Sequence, residues 1–526
     1  MLKKNSHILF TRLILATVLA FSFCGTIKSQ KDTTSKIYIL PGAEYLTNFG
    51  DEIDNVKLAG NARFMHDSVF MDCDTAYIYN KTQSVRAVGN IKVNRGDTLF
   101  MYGDTLKYFG ETKMAYVYGN VRLVEKDLTL TTDAIEFDLN SNIGTYNTGG
   151  KVESKKNNNT LISKKGYYFS DLKKLSFKDS VSLTNDDYVM KSDTLDYFEE
   201  TEVAYFSGNT TIEGDSSFIF CKNGWYDTKN DLAEFRKDAY LIASKRRLEG
   251  DSLFYDGREK YAKAIDRVTI TDSANKMIVN GNFAEHFEKL NISMVTDTPR
   301  VKKWFEEGDT LYMLADTIRV KNDTTNKDSR VYAHYKVQFF KEDVQGLCDS
   351  MIFKEKDSVI RLFNDPVVWS ENSELFGDTI IIKLGKQSLE YIDLQKNAFV
   401  IEQVKEILFK DSTKTIADTN LTDYFNQIKG KNIKGVFQQD SIRKVYVDGN
   451  GQSIYYTNEP GEPIQALNKI ICSNIILTFT NNQVTDILFL KKPEGTLYPL
   501  KDISENDRKL EGFKWLENRP EKSNFK

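Results

Sequence analysis

The chain has 526 residues, of which 28% are charged and 12% aromatic, mostly Tyr and Phe, and its formal net charge is −4. A strong nucleic-acid binder needs a basic surface, so that class is discounted. The four histidines, His7, His66, His286 and His334, are scattered and make no metal-ligand motif.

In chain order, residues 1–30 read as a signal peptide. Lys3, Lys4 and Arg12 lead into the apolar run 13–21, a charged segment followed by a hydrophobic stretch of signal length, too short for a comfortable membrane span. Cleavage is expected before Lys31, which leaves a net charge of about −8. Cys24 raises the question of lipidation, but Phe23 is bulky where lipoprotein signals prefer Gly or Ala. Cys73, Cys221, Cys348 and Cys472 each stand just ahead of a residue that opens a repeat. They read as small interior residues, too far apart in a stack to bridge.

Residues 31–60 lead in with Tyr38, Leu40, Tyr45 and Leu46, and a repeat follows. An acidic residue opens a strand-like run at Asp74 (DTAYI), Asp104 (DTLKY), Asp133 (DAIEF), Asp193 (DTLDY) and Asp251 (DSLFY), and again at Asp316, Asp349 and Asp378. The first three are spaced 30 and 29 residues apart, and degenerate copies near Lys165 and Asn223 fill the double steps. A second run keeps the same period, opened by Gly89-Asn90, Gly119-Asn120, Asp179-Ser180 and Gly208-Asn209. A fixed period of this size marks a solenoid or array.

Within each run apolar and polar residues alternate, the signature of a strand with one wet and one apolar face. The expected apolar side holds Ile91, Val93, Leu106, Tyr108, Val121, Leu123, Ile135, Phe137, Val181, Leu183, Leu195, Tyr197, Leu253 and Tyr255. Two runs plus turns fill a repeat, so each unit reads as one folded rung. No proline lies between Pro41 and Pro299, which suits uninterrupted ladders. The first array is expected over 31–290, a soft break near 290–305, a continuing array over 305–400, and a looser β region with a charged tail over 401–526. Residues 411–424 read as a loop or short helix, and 506–526 as an end cap or trailing segment.

These paired runs, D-[ST]-L-x-[YF] at 104–108, 193–197 and 251–255 joined to the turns at 115–121 and 87–91, resemble the OstA/LptA superfamily. The size, the segment 308–318 and the closing residues 512–515 are similar to the large soluble OstA-like proteins of the Bacteroidota. The resemblance implies an all-β, stacked-rung open β-jelly roll, extended by end-to-end stacking, with a cleft that holds lipopolysaccharide acyl chains. The fourteen inward residues would then line a lipid groove. It implies a periplasmic bridge or accessory component without cofactor, binding lipopolysaccharide or a related lipid. Other Lpt-type jelly rolls would dock edge to edge, and peripheral association with the outer membrane is left open. After Asp378 only 148 residues remain, too few for the large outer-membrane barrel of the barrel-bearing relative.

The same positions could instead form a closed core. The repeated Asp could bind Ca²⁺, although Asp-Ser/Thr pairs that satisfy backbone N–H groups at a bend are the expected role. No G-x-S-x-G or Walker loop is present, so an enzyme, such as a β-helical carbohydrate-active one, is not expected. A β-solenoid adhesin or scaffold without lipid transport is the alternative.

Overall fold

The computed structural model describes residues 36–525 apart from 51–53, 67–68, 96–98, 126–127, 155–157, 199, 244, 274–275, 306–308, 324–327, 386–388, 411–414, 440, 458–463 and 481–482. The expected leader at 1–30 lies outside the described residues. The expectation of an all-β fold holds: the described residues form antiparallel strands, and their only helical pieces are 3₁₀ turns of three or four residues. No helix among them is long and apolar enough to cross a membrane. The chain divides into two compact units, 1–264 and 265–526, with the division inside the strand Tyr261–Asp272.

The first unit is a meander whose long strands run 11 or 12 residues, such as Leu99–Phe109 and Met114–Glu125. Alternate long strands carry a two-against-one bulge near their middle, and the strands between supply the single opposing residue. Tyr118 pairs with Thr105 and Arg122 with Tyr102, while on the other side Tyr118 pairs with Ala134 and Val121 with Thr132. Gly119 and Asn120 therefore face Asp104 on one neighbour and Asp133 on the other. Both bulge residues take positive φ, 79° and 46°. An extra residue with left-handed geometry bends a strand sharply. The pattern recurs on alternate strands at Gly60-Asn61, Gly89-Asn90, Asp179-Ser180 and Lys237-Asp238. The line of bulges forms a crease, and each long strand crosses it and contributes to two arms, whereas short strands such as Ile143–Tyr146 and Gly150–Ser154 lie on one arm each.

This corrects the rung geometry read from sequence. Asp104–Tyr108 and Val121–Leu123 are not the two legs of one rung. They are halves of two antiparallel strands, and they lie on opposite sides of the crease. The Gly-Asn pair looks like a turn because both need the same backbone; here it bends a continuous strand.

The second unit repeats the scheme with left-handed pairs at Asp297-Thr298, Tyr335-Lys336, Asn364-Asp365 and Lys396-Asn397. Its later strands are longer, 22 residues in Leu389–Lys410 and 24 in Thr415–Gln438. Longer strands lengthen the interval between bulges, which is why the period loosens in the sequence. Residues 415–424, expected as loop or short helix, belong to the strand Thr415–Gln438, while 411–414 lie outside the described residues.

The C-terminal segment neither caps an end nor trails off. It lies as a strap across the outer face of one arm of this unit. Leu510, Phe513, Trp515 and Leu516 pack with Val367, Trp369, Phe376, Phe399 and Ile401. Leu510 N donates to Gln427 Oε1 (2.8 Å), Leu516 N to both oxygens of Glu374 (3.1 Å each), and Arg519 Nε to Gln345 Oε1 (2.5 Å). At its end Phe525 meets the rings of Tyr312 and Phe340 at 6.1 and 6.2 Å. The arm's outer face is apolar here because the strap, not water, covers it.

Candidate lipid-contacting interior

Antiparallel pairing places inward side chains of successive strands in rows. In the first unit one row runs Val56, Ile78, Val85, Tyr108, Ala115, Phe137 and continues Gly144, Tyr168, Leu175, Tyr197, Ala204, Tyr226, Ala233, Tyr255. From Tyr108 onward aromatic rings come from alternate strands, with small residues between them at Ala115, Gly144, Ala204 and Ala233. Neighbouring strands are about 4.8 Å apart, so each ring extends over the small residue beside it. Gly144 illustrates the fit: a Cβ there would stand 3.0 Å from the Phe137 ring.

A second row on the same arm holds Leu106, Val117 and Ile135, then Phe177, Leu195, Phe206, Gly224, Phe235 and Leu253. Across the crease, Met71, Val93, Met101, Leu123 and Leu130 form a third, extended by Val152, Leu161, Leu183, Met190, Ile212, Ile219 and Leu241. No charged residue interrupts these rows.

The two arms pack against one another. Leu58, Ala76, Leu106 and Val117 from one arm share a buried cluster with Phe64, Ile91 and Val121 from the other, and Val93, Tyr108 and Ile135 pack on it. Farther along, Leu161, Leu183, Met190 and Ile212 face Leu195, Tyr197, Phe206, Tyr226 and Phe235 around an apolar void of about 20 Å³. That volume is close to what one water requires. Of the expected inward residues, Ile91, Leu106, Val121, Val181, Leu183, Leu195, Tyr197 and Leu253 are buried. Val93, Tyr108, Leu123, Ile135, Phe137 and Tyr255 are half-buried. Sequence reading missed the halves of the strands that precede the Asp or the bulge pair, among them Met101, Met190, Phe206 and Phe235. Their runs lack an opening Asp or Gly-Asn pair, although their alternation was visible.

Polar groups at the floor of the fold satisfy one another: Tyr146 Oη meets Ser163 Oγ at 2.7 Å, and Ser192 Oγ meets Thr210 Oγ1 at 2.9 Å. Burial pushes the Cys73, Cys221 and Cys348 thiols up to about 12, so they stay protonated and weakly nucleophilic at neutral pH. All four described cysteines are free and buried.

The repeated Asp is spent on the crease. Asn120 Nδ2 donates to Asp104 Oδ2 (2.9 Å), Asn90 Nδ2 to Asp74 Oδ2 (3.0 Å), Asn364 Nδ2 to Asp349 Oδ2 (3.2 Å) and Asn397 Nδ2 to Asp378 Oδ1 (3.0 Å). At Asp193 the donor is the backbone N–H of Asn209, at 2.9 Å. The degenerate copy reverses the charges: Lys222 takes the Asp position and pairs with Asp238 of the bulge at 2.5 Å. Among the described residues no three His, Cys, Asp or Glu side chains gather as a metal site.

Two families match the chain. Residues 34–193 match the family described as OstA-like protein, and 307–388 match LptA/(LptD N-terminal domain) LPS transport protein. These two segments are OstA/LptA-like. Among solved structures, the chain is similar to LptH, the LptA homologous periplasmic component of the lipopolysaccharide transport device of Pseudomonas aeruginosa. The identity is 14%, over 20% of this chain and 79% of that one, with a TM-score of 0.19. No curated protein matches the chain.

Proposed function

We propose that the protein is a periplasmic lipopolysaccharide-binding component of outer-membrane assembly, acting as a bridge or accessory element and not as an enzyme. The supporting observation is the set of apolar rows that pass from strand to strand without a charged interruption. A lipid whose tails must cross water needs a continuous apolar lining, at roughly 25 cal/mol per Å² of apolar surface shielded. The fourteen inward residues are the proposed lining. Acyl chains enter at the void between Leu183 and Leu195, and the arms part there to admit them.

Docking of further Lpt-type β-modules belongs to the same reading. Among the described residues, Ile37–Leu40 and Tyr45–Asn48 each pair on one side only, with Asn55–His66, and expose Tyr38, Ile39, Tyr45 and Leu46. In the second unit, among the described residues, Gln483–Leu490 and Glu494–Pro499 pair only with Ala466–Thr480 and expose Leu488 and Leu497. Unpaired edges of this kind accept an added strand.

A photocrosslinking residue at Leu195 or Tyr197 tests the proposal in living cells. Capture of lipopolysaccharide there, and not from outward Tyr205, is the expected result. Failure to capture any lipid from inward positions overturns it. The tightly packed stretch around Leu58, Phe64 and Ile78, each at most 1% exposed, favours the second reading, a structural scaffold, and that outcome would leave it standing.

A further inference from the structure

The outer face of one arm of the second unit carries a charge pattern that the interior does not explain. Two outward rows cross the strands from Thr317–Asp323 to Ser441–Thr457. One row contributes Arg319, Arg361 and Lys434. The other contributes Lys321, Arg330, Lys354, Lys383 and Lys444. Against these eight cations the two rows hold one carboxylate, Asp393, and a second, Asp486, where they continue onto Gln483–Leu490.

The chain as a whole is acidic, and the fold does not demand the pattern. The corresponding rows of the first unit carry Lys57, Arg86, Lys107 and Lys174. These are answered by Glu136, Asp138, Asp196, Asp227, Glu234 and Asp256, with Lys174 paired to Asp196 at 2.8 Å. In the second unit, among the described residues, no carboxylate forms an ion pair with Arg319, Lys321, Lys354, Arg361, Lys434 or Lys444. Arg319 instead lies over the Tyr332 ring (4.7 Å) and Lys434 over Tyr391 (4.1 Å). Arg319 Nε and Arg361 Nη1 are buried without an acceptor.

Aromatic and aliphatic side chains interleave with the cations. Tyr446 is 40% exposed and Leu488, on the same row, 54%. Uncompensated Lys and Arg on a broad sheet face, mixed with Tyr and large aliphatics, match an anionic lipid headgroup surface. Phosphates answer the cations, and the tyrosines and Leu488 enter the interfacial layer. We infer that this face is a docking surface for an anionic phospholipid bilayer, separate from any lipid held inside the fold.

The test is flotation of the full-length protein with vesicles of phosphatidylglycerol and phosphatidylcholine, or of phosphatidylcholine alone, at low and high salt. Binding to the anionic vesicles only, weakened by salt, is expected. The triple variant Lys321→Glu, Lys354→Glu, Lys444→Glu, folded by circular dichroism, should bind them on the order of a hundredfold more weakly. The Gln version of the same triple should fall between. Equal binding to both vesicle types, no vesicle binding, or an unchanged triple Glu variant overturns the inference. So does preference for an acidic peptide or a DNA duplex with the vesicles ignored. The vesicles contain no lipopolysaccharide, so the outcome is independent of the interior transport reading. Crosslinking from Leu195 should be the same in the triple variant and the wild type when lipid is supplied in solution.

Discussion

At the crease, backbone geometry and side-chain chemistry are tied residue by residue. Gly119 has φ of +79°, and a Cβ there would stand 2.4 Å from Asp104 Oδ2. Gly119→Ala should therefore cost roughly 1–2 kcal/mol for the left-handed backbone alone, and displacing Asp104 adds to it. The expected readout is faster amide exchange along Met114–Glu125 and a lower unfolding midpoint. Asp104→Ala removes only the clasp to Asn120 and should cost about 1 kcal/mol. The Lys222–Asp238 pair makes the complementary case, since exchanging the two residues should leave stability nearly unchanged while either single reversal lowers it.

Glu374 is the residue whose titration matters for the strap. It is 1% exposed, and burial raises its pKa despite the N–H donors of Leu516 and Trp369. A carboxyl whose folded value exceeds its unfolded one contributes stability in full below the unfolded value, 4.5. That contribution is lost as pH rises through the folded value. Strap anchoring should thus weaken from pH 4.5 upward, and Glu374→Gln should flatten this dependence. Unfolding midpoints of the two proteins across pH 4 to 8 give the comparison, and parallel curves would refute it.

Among elements, the aromatic and small positions of alternate strands behave as one layer. Ala204 lies between Tyr197 and Tyr226, and Ala204→Leu should overpack it by about 1–3 kcal/mol. Truncation after Pro499 removes the strap and uncovers Val367, Trp369, Phe376 and Phe399. Increased binding of a hydrophobic dye and a lower midpoint for the second unit are expected. The two cases also show what sequence alone could reveal. Strand alternation and the period of the Asp-Thr and Gly-Asn runs are local, so the all-β stack and its apolar face were legible. The fold of each strand about its own middle was not, because a left-handed pair reads the same in a hairpin turn and in a bulge. The strap was illegible because its partners are remote: Leu516 meets Glu374 across 142 residues, and Arg519 meets Gln345 across 174. A short charged segment with two aromatics carries no local sign of where it lies.

For the molecule as a whole, the candidate interior was legible only as a side, not as a width. Alternation at Leu195 and Tyr197 identifies which face is apolar, but the distance between arms depends on how rings such as Phe206 and Phe235, 6.1 Å apart on one arm, fill the space against Leu183, Met190 and Ile212 of the other. That packing leaves a void of about 20 Å³. Enlarging it by Phe235→Ala should increase lipid capture at Leu195 if the arms are what limits entry, at a stability cost of about 3–5 kcal/mol.

The crease pairs have one more consequence. Because a left-handed pair comes once in every two strands, the smallest self-consistent increment of this architecture is a whole hairpin of 29 or 30 residues. Duplicating residues 89–118 in frame would keep the strand order, the spacing of the crease pairs and the side on which each residue faces. A gene built this way can grow or shrink in fixed steps, whereas loss of a single residue inside a strand would turn one arm inside out.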